Sequence, residues 1–261
     1  MGEYADLPEL RMFYEVEGDG EPLVLLHGGF GGAYMFSQQI PMFSEHFRVF
    51  VPEQRGRGRT PDVPGPFTYQ LLTDDIIAFL EKIVNHPAHI VGVSDGGIVG
   101  LYLAMKRPDI LRKAVFIGAN FHWNGIVPGS GWTELAAEDE AWDMPRQRYA
   151  ALSPDGPEHW PVIFSKVQKM ASKEPTFKVS DLGTVSIPVL IMSGDDDAIS
   201  LEHTIAMYQA LPEAQLAIIP GTSHAEFVEK PALVNQLILD FLTEEEPPST
   251  LLPIRRRKPI G

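Results

Sequence analysis

The segment Gly92-Val93-Ser94-Asp95-Gly96 carries the strongest chemical signal in the sequence. It follows an apolar run directly and precedes a segment of helical period directly. A serine in such a strand–turn–helix setting has a strained backbone and projects its hydroxyl above the sheet, and glycine is needed two residues before and two after it. We therefore expect Ser94 to be a nucleophile for acyl transfer.

A serine nucleophile needs a histidine base, and the histidine needs a carboxylate to orient it. One apolar run ends in three consecutive aspartates, 195 to 197, and His224 lies in the loop after the next run. Both loops follow the carboxyl ends of predicted strands, on the same sheet edge as Ser94. Spacing leaves open which aspartate faces His224. Because like charges repel, at least one should point to solvent or bind backbone amides.

Acyl transfer also needs hydrogen-bond donors for the oxyanion of the tetrahedral intermediate. One donor is expected from the backbone N–H of Asp95, and the others from Gly29 and Phe30 in the glycine-rich loop 27–32. This loop lacks the Gly-Lys-Ser/Thr ending of a phosphate-binding loop. His27 opens the loop, and we expect its role to be structural.

The residue content argues against metal and cofactor chemistry. The sequence contains no cysteine, which excludes disulfides and cysteine-ligated metal sites. His86 and His89 share a spacing that a metal could use, but no set of acidic or histidine partners accompanies them in the sequence. We expect neither a metal nor an organic cofactor.

The charge balance limits the classes of partner. With 21 basic and 35 acidic residues, the formal net charge of −14 disfavours binding to nucleic acid or to an anionic membrane surface. No segment has the roughly 18 apolar residues that span a bilayer, and the first 18 residues do not have signal-peptide character. We expect a cytoplasmic protein with a small-molecule acyl substrate, and composition leaves its oligomeric state open.

Short apolar runs bounded by Gly or Pro alternate with segments of helical period, which is typical of an α/β fold with a parallel sheet covered by helices. The runs predict strands at residues 22–26, 48–51, 89–93, 114–117, 188–192 and 216–219, and residues 11–17 are expected to add an antiparallel edge strand. Periodicity predicts helices at residues 73–84, 97–105, 201–211 and 231–242.

Residues 121–180 break this rhythm, because the stretch is too long for a usual connection and has no strand-like run. We interpret it as a helical cap inserted into an α/β core of residues 1–120 and 181–243. Residues 244–261 are interpreted as a flexible tail whose basic residues 255–258 are solvated.

All four tryptophans of the chain lie in this stretch. They either pack the cap onto the core or line an apolar substrate cavity between the two layers. The candidate substrate-binding residues are Trp123, Trp132, Trp142 and Trp160.

Together, these motifs resemble the α/β-hydrolase superfamily over residues 11–242. Residues 27–29 resemble its oxyanion loop, residues 54–58 its Arg-Gly-x-Gly turn, residues 92–96 its nucleophile elbow, residues 194–197 its Gly-Asp-x-Asp motif and residues 221–224 its Gly-x-x-His motif. In that family the second aspartate of Gly-Asp-x-Asp is the acid that orients the histidine. The resemblance therefore implies this role for Asp197. Glu53 is a departure, because the family more often has Asp there; we expect it to affect a structural hydrogen bond and not the triad.

The resemblance implies an α/β-hydrolase fold, mostly parallel and flanked by helices, with an inserted cap. The Gly-x-Ser-Asp-Gly-Gly form of the elbow is similar to small esterases of the valacyclovir-hydrolase type, and a serine there argues against the dehalogenase and epoxide hydrolase branches, which use aspartate. A triad of Ser94, Asp197 and His224 would then cleave a small carboxylic ester or related acyl compound. The alternatives are a ligand-binding or signalling protein on the same fold, or a C–C hydrolase, lyase or perhydrolase with the same triad.

Overall fold

A single sheet of eight strands runs through the described residues. The structure is a computed structural model that describes residues 2–130, 134–244 and 250–252, so Trp132 and residues 255–258 lie outside the described residues. The strands are β1 (Gly2–Asp6), β2 (Arg11–Glu17), β3 (Glu21–Leu26), β4 (Phe47–Pro52), β5 (Ala88–Val93), β6 (Leu111–Ile117), β7 (Val189–Gly194) and β8 (Ala214–Ile219). Their order in the sheet is β1-β2-β4-β3-β5-β6-β7-β8.

One strand, β2, runs against the rest of the sheet. β2 is antiparallel to both of its neighbours, β1 and β4, and the pairs from β4 through β3 to β8 are parallel. The prediction of an antiparallel strand at residues 11–17 is confirmed, but its edge position is wrong because β1 lies outside it. β1 escapes sequence analysis because only Ala5 of its five residues is buried, so no apolar run marks it.

The helices cover the sheet and connect its strands. They are α1 (Ile40–Phe43), α2 (Tyr69–Phe79, continued by the π-helical turn Leu80–Val84), α3 (Asp95–Lys106), α4 (Asp143–Leu152), α5 (Trp160–Ala171), α6 (Leu201–Ala210), α7 (Glu226–Glu229) and α8 (Pro231–Thr243). The predicted helix 73–84 begins earlier than expected, since the Thr68 hydroxyl accepts a hydrogen bond from the Leu71 N–H at 3.0 Å and caps α2 there. Within the described residues, no helix is both long and apolar enough to cross a membrane.

Both faces of the sheet are buried. Leu23 and Leu25 of β3 belong to a core cluster with α1 and α8, whereas Val24 and Leu26 belong to a second cluster with α2 and α3. Successive side chains of a strand point to opposite faces, and each fully buried Leu or Val contributes about 1.5–3 kcal/mol. A strand buried on both faces is uniformly apolar, which is why these runs were visible in the sequence.

The stretch between β6 and β7 contains α4 and α5. Its two ends meet in a β-bridge between His122 and Thr176, so the segment leaves the sheet and returns at nearly the same place. Trp160 and Phe164 of α5 belong to the same buried cluster as α2 and α3. These contacts support the proposal that residues 121–180, from here called the cap segment, form a cap on one face of the core.

Candidate active site

Ser94 sits in a strained turn between β5 and α3. Its backbone has φ 53° and ψ −120°, a conformation that costs a non-glycine residue about 1–3 kcal/mol. The Ser94 N–H donates to the carbonyl of Ile117 at 2.8 Å, which fixes the turn to the end of β6. A Cβ on Gly92 would lie 2.2 Å from the Gly96 oxygen, and one on Gly96 would lie 2.0 Å from the Leu26 oxygen. Glycine is therefore required at both positions. Ser94 itself is only half-buried.

Asp197 and His224 form a close pair in the loops after β7 and β8. The Nδ1 of His224 lies 2.6 Å from Oδ1 of Asp197. The Asp197 side chain is fully buried, whereas 17% of the His224 side chain is exposed. Asp197 also accepts hydrogen bonds from the Ser193 hydroxyl at 2.9 Å and the Ile199 N–H at 3.0 Å. These donors hold the carboxylate in one orientation toward the imidazole.

The contact raises the pKa of His224 and lowers the pKa of Asp197. Burial alone would lower the pKa of His224, but the hydrogen bond and the negative charge of Asp197 outweigh it and raise this pKa above its ordinary value. Burial alone would raise the pKa of Asp197, but the His224 hydrogen bond and charge lower it, with help from Ile199 and Ser193. Asp197 is thus held as a carboxylate, and His224 is a stronger base than an isolated imidazole.

The His224 ring lies at the same point of the sheet edge as the Ser94 turn. A Cβ on Gly118 would lie 2.7 Å from Cε1 and 2.8 Å from Nδ1 of His224. Gly118 directly follows Ile117, whose carbonyl binds the Ser94 N–H. The Ser94 turn is therefore bonded to Ile117, and the His224 ring lies beside the next residue, Gly118.

The other members of the aspartate run have different positions. Asp195 accepts hydrogen bonds from the backbone N–H groups of Gly221 at 2.6 Å and Thr222 at 3.1 Å, and so ties the β7 loop to the β8 loop. Asp195 and Asp196 are both exposed. Of the three, Asp197 is the one whose carboxylate contacts His224.

The glycine-rich loop lies beside Ser94. The Gly31 N–H donates to the Gly28 carbonyl at 3.1 Å, which closes a turn with Gly29 and Phe30 at its centre. A Cβ on Gly28 would lie 3.3 Å from the Ser94 Cβ. Asp95 is the first residue of α3, where backbone N–H groups have no partner within the helix. The three predicted oxyanion donors thus belong to two segments that meet at the serine.

Two buried side chains hold this loop. The Nε2 of His27 accepts the Gln54 N–H at 3.0 Å, and burial lowers the pKa of His27 to about 3, so the ring stays neutral. Glu53 is fully buried and accepts the Ala33 N–H at 3.0 Å. His27 and Glu53 thus both bind backbone N–H groups, which is the structural role expected for them from the sequence.

The described tryptophans differ in exposure. Trp142 and Trp160 are buried, with ring centroids 4.9 Å and 5.4 Å from that of Phe30. Trp123 is 45% exposed and lies against the His122 ring. Contact of any tryptophan with a substrate stays a prediction.

A buried network next to these donors was not among the sequence predictions. The Asp95 side chain contacts both Arg57 and Tyr69, and Arg57 also contacts the glycine-rich loop. The signal available was the position of Arg57 between Gly56 and Gly58, which both have positive φ and turn the chain sharply.

In the parts of the chain that the structure describes, no group of three His, Cys, Asp or Glu side chains is arranged to hold a metal ion. His89 is buried and lies 3.5 Å from Glu21, a contact between β5 and the start of β3.

Comparison with known proteins shows which proteins the chain is similar to. The chain is 27% identical over 258 residues to a protein of Agrobacterium fabrum named "Putative carbamate hydrolase RutD". This match covers 88% of the chain and 98% of the relative. A relative of the same name from Stutzerimonas stutzeri is 26% identical and covers 90% of this chain and 97% of the relative.

Solved structures share the fold. A meta-cleavage product hydrolase from Pseudomonas fluorescens superposes with a TM-score of 0.81 at 22% identity, covering 94% of this chain and 98% of the other. The enol-lactonase from Burkholderia xenovorans gives a TM-score of 0.74 at 21% identity, with coverage of 93% and 100%. A model of the Alpha/beta hydrolase family matches residues 23–237. The chain therefore belongs to the alpha/beta hydrolase family and is a hydrolase.

Proposed function

We propose that the protein is a serine hydrolase that cleaves a small carboxylic ester or a related acyl compound through an acyl-enzyme, with Ser94, His224 and Asp197 as its triad. The observation that carries the proposal is the 2.6 Å contact between His224 Nδ1 and Asp197 Oδ1 at the sheet edge where the strained Ser94 turn lies. This contact requires a proton on Nδ1, which leaves Nε2 as the basic nitrogen.

In the first half of the reaction, the Ser94 Oγ attacks the substrate carbonyl while His224 takes the hydroxyl proton. The carbonyl oxygen becomes an oxyanion and is stabilised by backbone N–H groups of Gly29, Phe30 and Asp95. His224 then gives its proton to the leaving oxygen, and the bond between the carbonyl carbon and that oxygen breaks. The acyl group remains as an ester on Ser94.

In the second half, a water molecule gives a proton to His224 and attacks the acyl carbon. The oxyanion forms again at the same N–H groups, and His224 returns the proton to the Ser94 oxygen as the acid leaves. Asp197 stays a carboxylate throughout and stabilises the imidazolium. Apart from the substrate and this water molecule, every group in the proposed scheme belongs to the chain.

A carbamate is the second candidate substrate class, because the relatives with 88% and 90% coverage of this chain carry that name. The carbonyl carbon of a carbamate ester can be attacked by the same serine, which releases the alcohol and leaves a carbamoyl group on Ser94. Water would then release a carbamic acid, which decomposes to carbon dioxide and an amine or ammonia. Parallel assays with p-nitrophenyl esters, lactones and carbamates separate the classes, and acyl chain length should be varied in each. Weak turnover of all simple esters would favour C–C bond cleavage or perhydrolysis with the same triad.

The test of the proposal is substitution of Ser94. Ser94→Ala should lower kcat on p-nitrophenyl acetate by at least about 10³-fold with an unchanged melting temperature, and should abolish labelling by a fluorophosphonate probe. Ser172→Ala, at an exposed position after α5, is the control and should label like the wild type. Retained activity in Ser94→Ala would refute the proposal. Absence of labelling in the wild type would favour a ligand-binding or signalling protein.

A further inference from the structure

Arg57 is a charged side chain held almost entirely inside the protein. It is 1% exposed, and it lies between the glycine-rich loop and Asp95. Burial of a guanidinium is costly unless hydrogen bonds and a counter-charge compensate. A neutral side chain could fill the same space without the free-energy cost of burying a charge. The contacts of Arg57 therefore indicate what the guanidinium contributes.

The first contact fixes the orientation of one peptide plane. The Nε of Arg57 donates to the carbonyl of Gly29 at 2.9 Å. The peptide between Gly29 and Phe30 is trans, so its N–H, which belongs to Phe30, points in the opposite direction from the carbonyl. Arg57 therefore holds this N–H facing away from the guanidinium.

The second contact reaches the other donor segment. Nη2 of Arg57 lies 3.6 Å from Oδ2 of Asp95, whose Oδ1 accepts the Tyr69 hydroxyl hydrogen bond at 2.7 Å. The backbone N–H of Asp95 is the donor that follows the nucleophile. One guanidinium thus contacts both segments that carry the proposed oxyanion donors.

The turn around Arg57 holds its side chain in place. Gly56 and Gly58 have φ of 68° and 55°, and Nη1 of Arg57 donates to the Arg55 carbonyl at 3.0 Å. The guanidinium also lies over the Phe67 ring, 4.8 Å from its centroid. With its position fixed from behind, the arginine can set the distance between the loop and the start of α3.

We propose that Arg57 is a positioning residue of the oxyanion hole, which fixes the Gly29–Phe30 peptide relative to the Asp95 N–H with Tyr69 as support. This inference rests on the proposed function. Asp95 compensates the positive charge of Arg57, so the role is geometric: the network keeps the donors at the spacing that the oxyanion needs. The fork of Arg can contact the carbonyl and the carboxylate at once, whereas a single lysine nitrogen cannot.

The test compares Arg57→Lys with the wild type in two measurements. The first is kcat/KM for p-nitrophenyl acetate, and the second is Ki for a phenyl-substituted trifluoromethyl ketone, which forms a tetrahedral adduct on serine. In Arg57→Lys we expect kcat/KM to fall about 10²-fold and Ki to rise by a similar factor, because both depend on the oxyanion donors. KM should change much less than kcat.

Arg55→Lys is the matched control. Arg55 is also buried and forms an ion pair with Asp75 at 2.6 Å, but its side chain does not carry the contact to Gly29. Arg55→Lys therefore also disturbs a buried arginine, but the ratio of Ki to KM should stay at the wild-type value. If Arg57→Lys does not fold, Arg57→Met combined with Asp95→Asn leaves no unpaired charge and should show the same loss.

The outcomes separate this inference from the proposed function. Wild-type kcat/KM and Ki in Arg57→Lys, with Ser94→Ala inactive, would overturn the inference and leave the triad in place. Full activity in Ser94→Ala would overturn the proposed function itself. An equal rise of the Ki to KM ratio in Arg55→Lys would show a general loss of structure and also overturn the inference.

Discussion

Asp197 determines both the orientation and the basicity of His224. Burial would lower the pKa of the imidazole, but the hydrogen bond between Nδ1 and the buried Asp197 carboxylate, followed by the charge of Asp197, raises it above its ordinary value. Catalysis as proposed needs the neutral imidazole. Activity should therefore fall as the pH decreases through the pKa of His224, which lies above its ordinary value of 6.5.

We predict that Asp197→Asn lowers kcat by about 10³ to 10⁴-fold, because an amide can stabilise the wrong tautomer and cannot stabilise the imidazolium. The acid limb of the pH profile of kcat/KM should move to lower pH, since the negative charge beside His224 is lost. The profile is measured with p-nitrophenyl acetate in buffers of constant ionic strength. A limb that stays in place would show that the titrating group is not His224.

Residue roles differed in how far the sequence could predict them. Motif order was sufficient to suggest Ser94 and His224, and the family pattern was needed to choose among the aspartates, because neighbouring carboxylates differ only in direction. No role could be predicted for Arg57 from the sequence. Its role depends on its contacts with the Gly29 carbonyl and the Asp95 carboxylate, which only the folded chain brings together. Such contacts between distant segments have no periodic signature.

The short helix α7 contains a buried carboxyl group beside the proposed triad. Glu226 is fully buried, and neither of its carboxylate oxygens has a hydrogen-bond partner in another described residue. Burial, followed by the charge of Asp197, raises the pKa of Glu226 from 4.5 to about 7, and His224 and Glu229 also act on it. The folded protein therefore binds a proton that the unfolded chain has lost between these pH values.

We predict that Glu226→Gln is more stable than the wild type at pH 8 and gains little at pH 5. The sign follows from the raised pKa: the stabilising proton is fully present below 4.5 and is lost as the pH rises through 7. The free energy of unfolding of Glu226→Gln, relative to that of the wild type, should rise by roughly 2 kcal/mol from pH 5 to pH 8. Urea unfolding at pH 5 and pH 8 measures it.

Glu202→Gln is the control for this measurement, because it makes the same substitution at an exposed position of α6. Glu226→Gln would contradict the prediction if it were less stable than the wild type at pH 8. That result would mean that the ionised carboxylate has a stabilising partner.

Elements could be predicted where burial is uniform. β3, β5, β6 and β7 are buried along most of their length, so their apolar runs were visible. β1 is exposed except at Ala5, so no apolar run marks it, and the start of α2 depends on a cap and not on periodicity. Both were missed for these physical reasons.

At the scale of the whole molecule, one core carboxylate, that of Asp62, binds two side chains of the cap segment. Asp62, in the core loop after β4, accepts hydrogen bonds from Lys166 Nζ at 2.7 and 2.8 Å and lies 2.8 Å from His159 Nε2. The Asp62 N–H donates to Asp155 at 2.7 Å. Burial would raise the pKa of Asp62, but the hydrogen bonds of Lys166 and His159 lower it. Its contribution to stability is therefore present above pH 4 and is lost as the pH falls through the lowered pKa.

We predict that Asp62→Asn loosens the cap segment from the core at neutral pH. Loss of the ion pair leaves Lys166 partly buried without its counter-charge, which should cost about 1 to 3 kcal/mol. Amide hydrogen exchange in α5 should become faster while exchange in β5 and β6 stays slow, because the sheet does not depend on this contact. Asp74→Asn breaks the exposed pair with Lys106 and should leave α5 unchanged. Equal acceleration in α5 and the central strands would show that the cap segment and the core unfold as one unit.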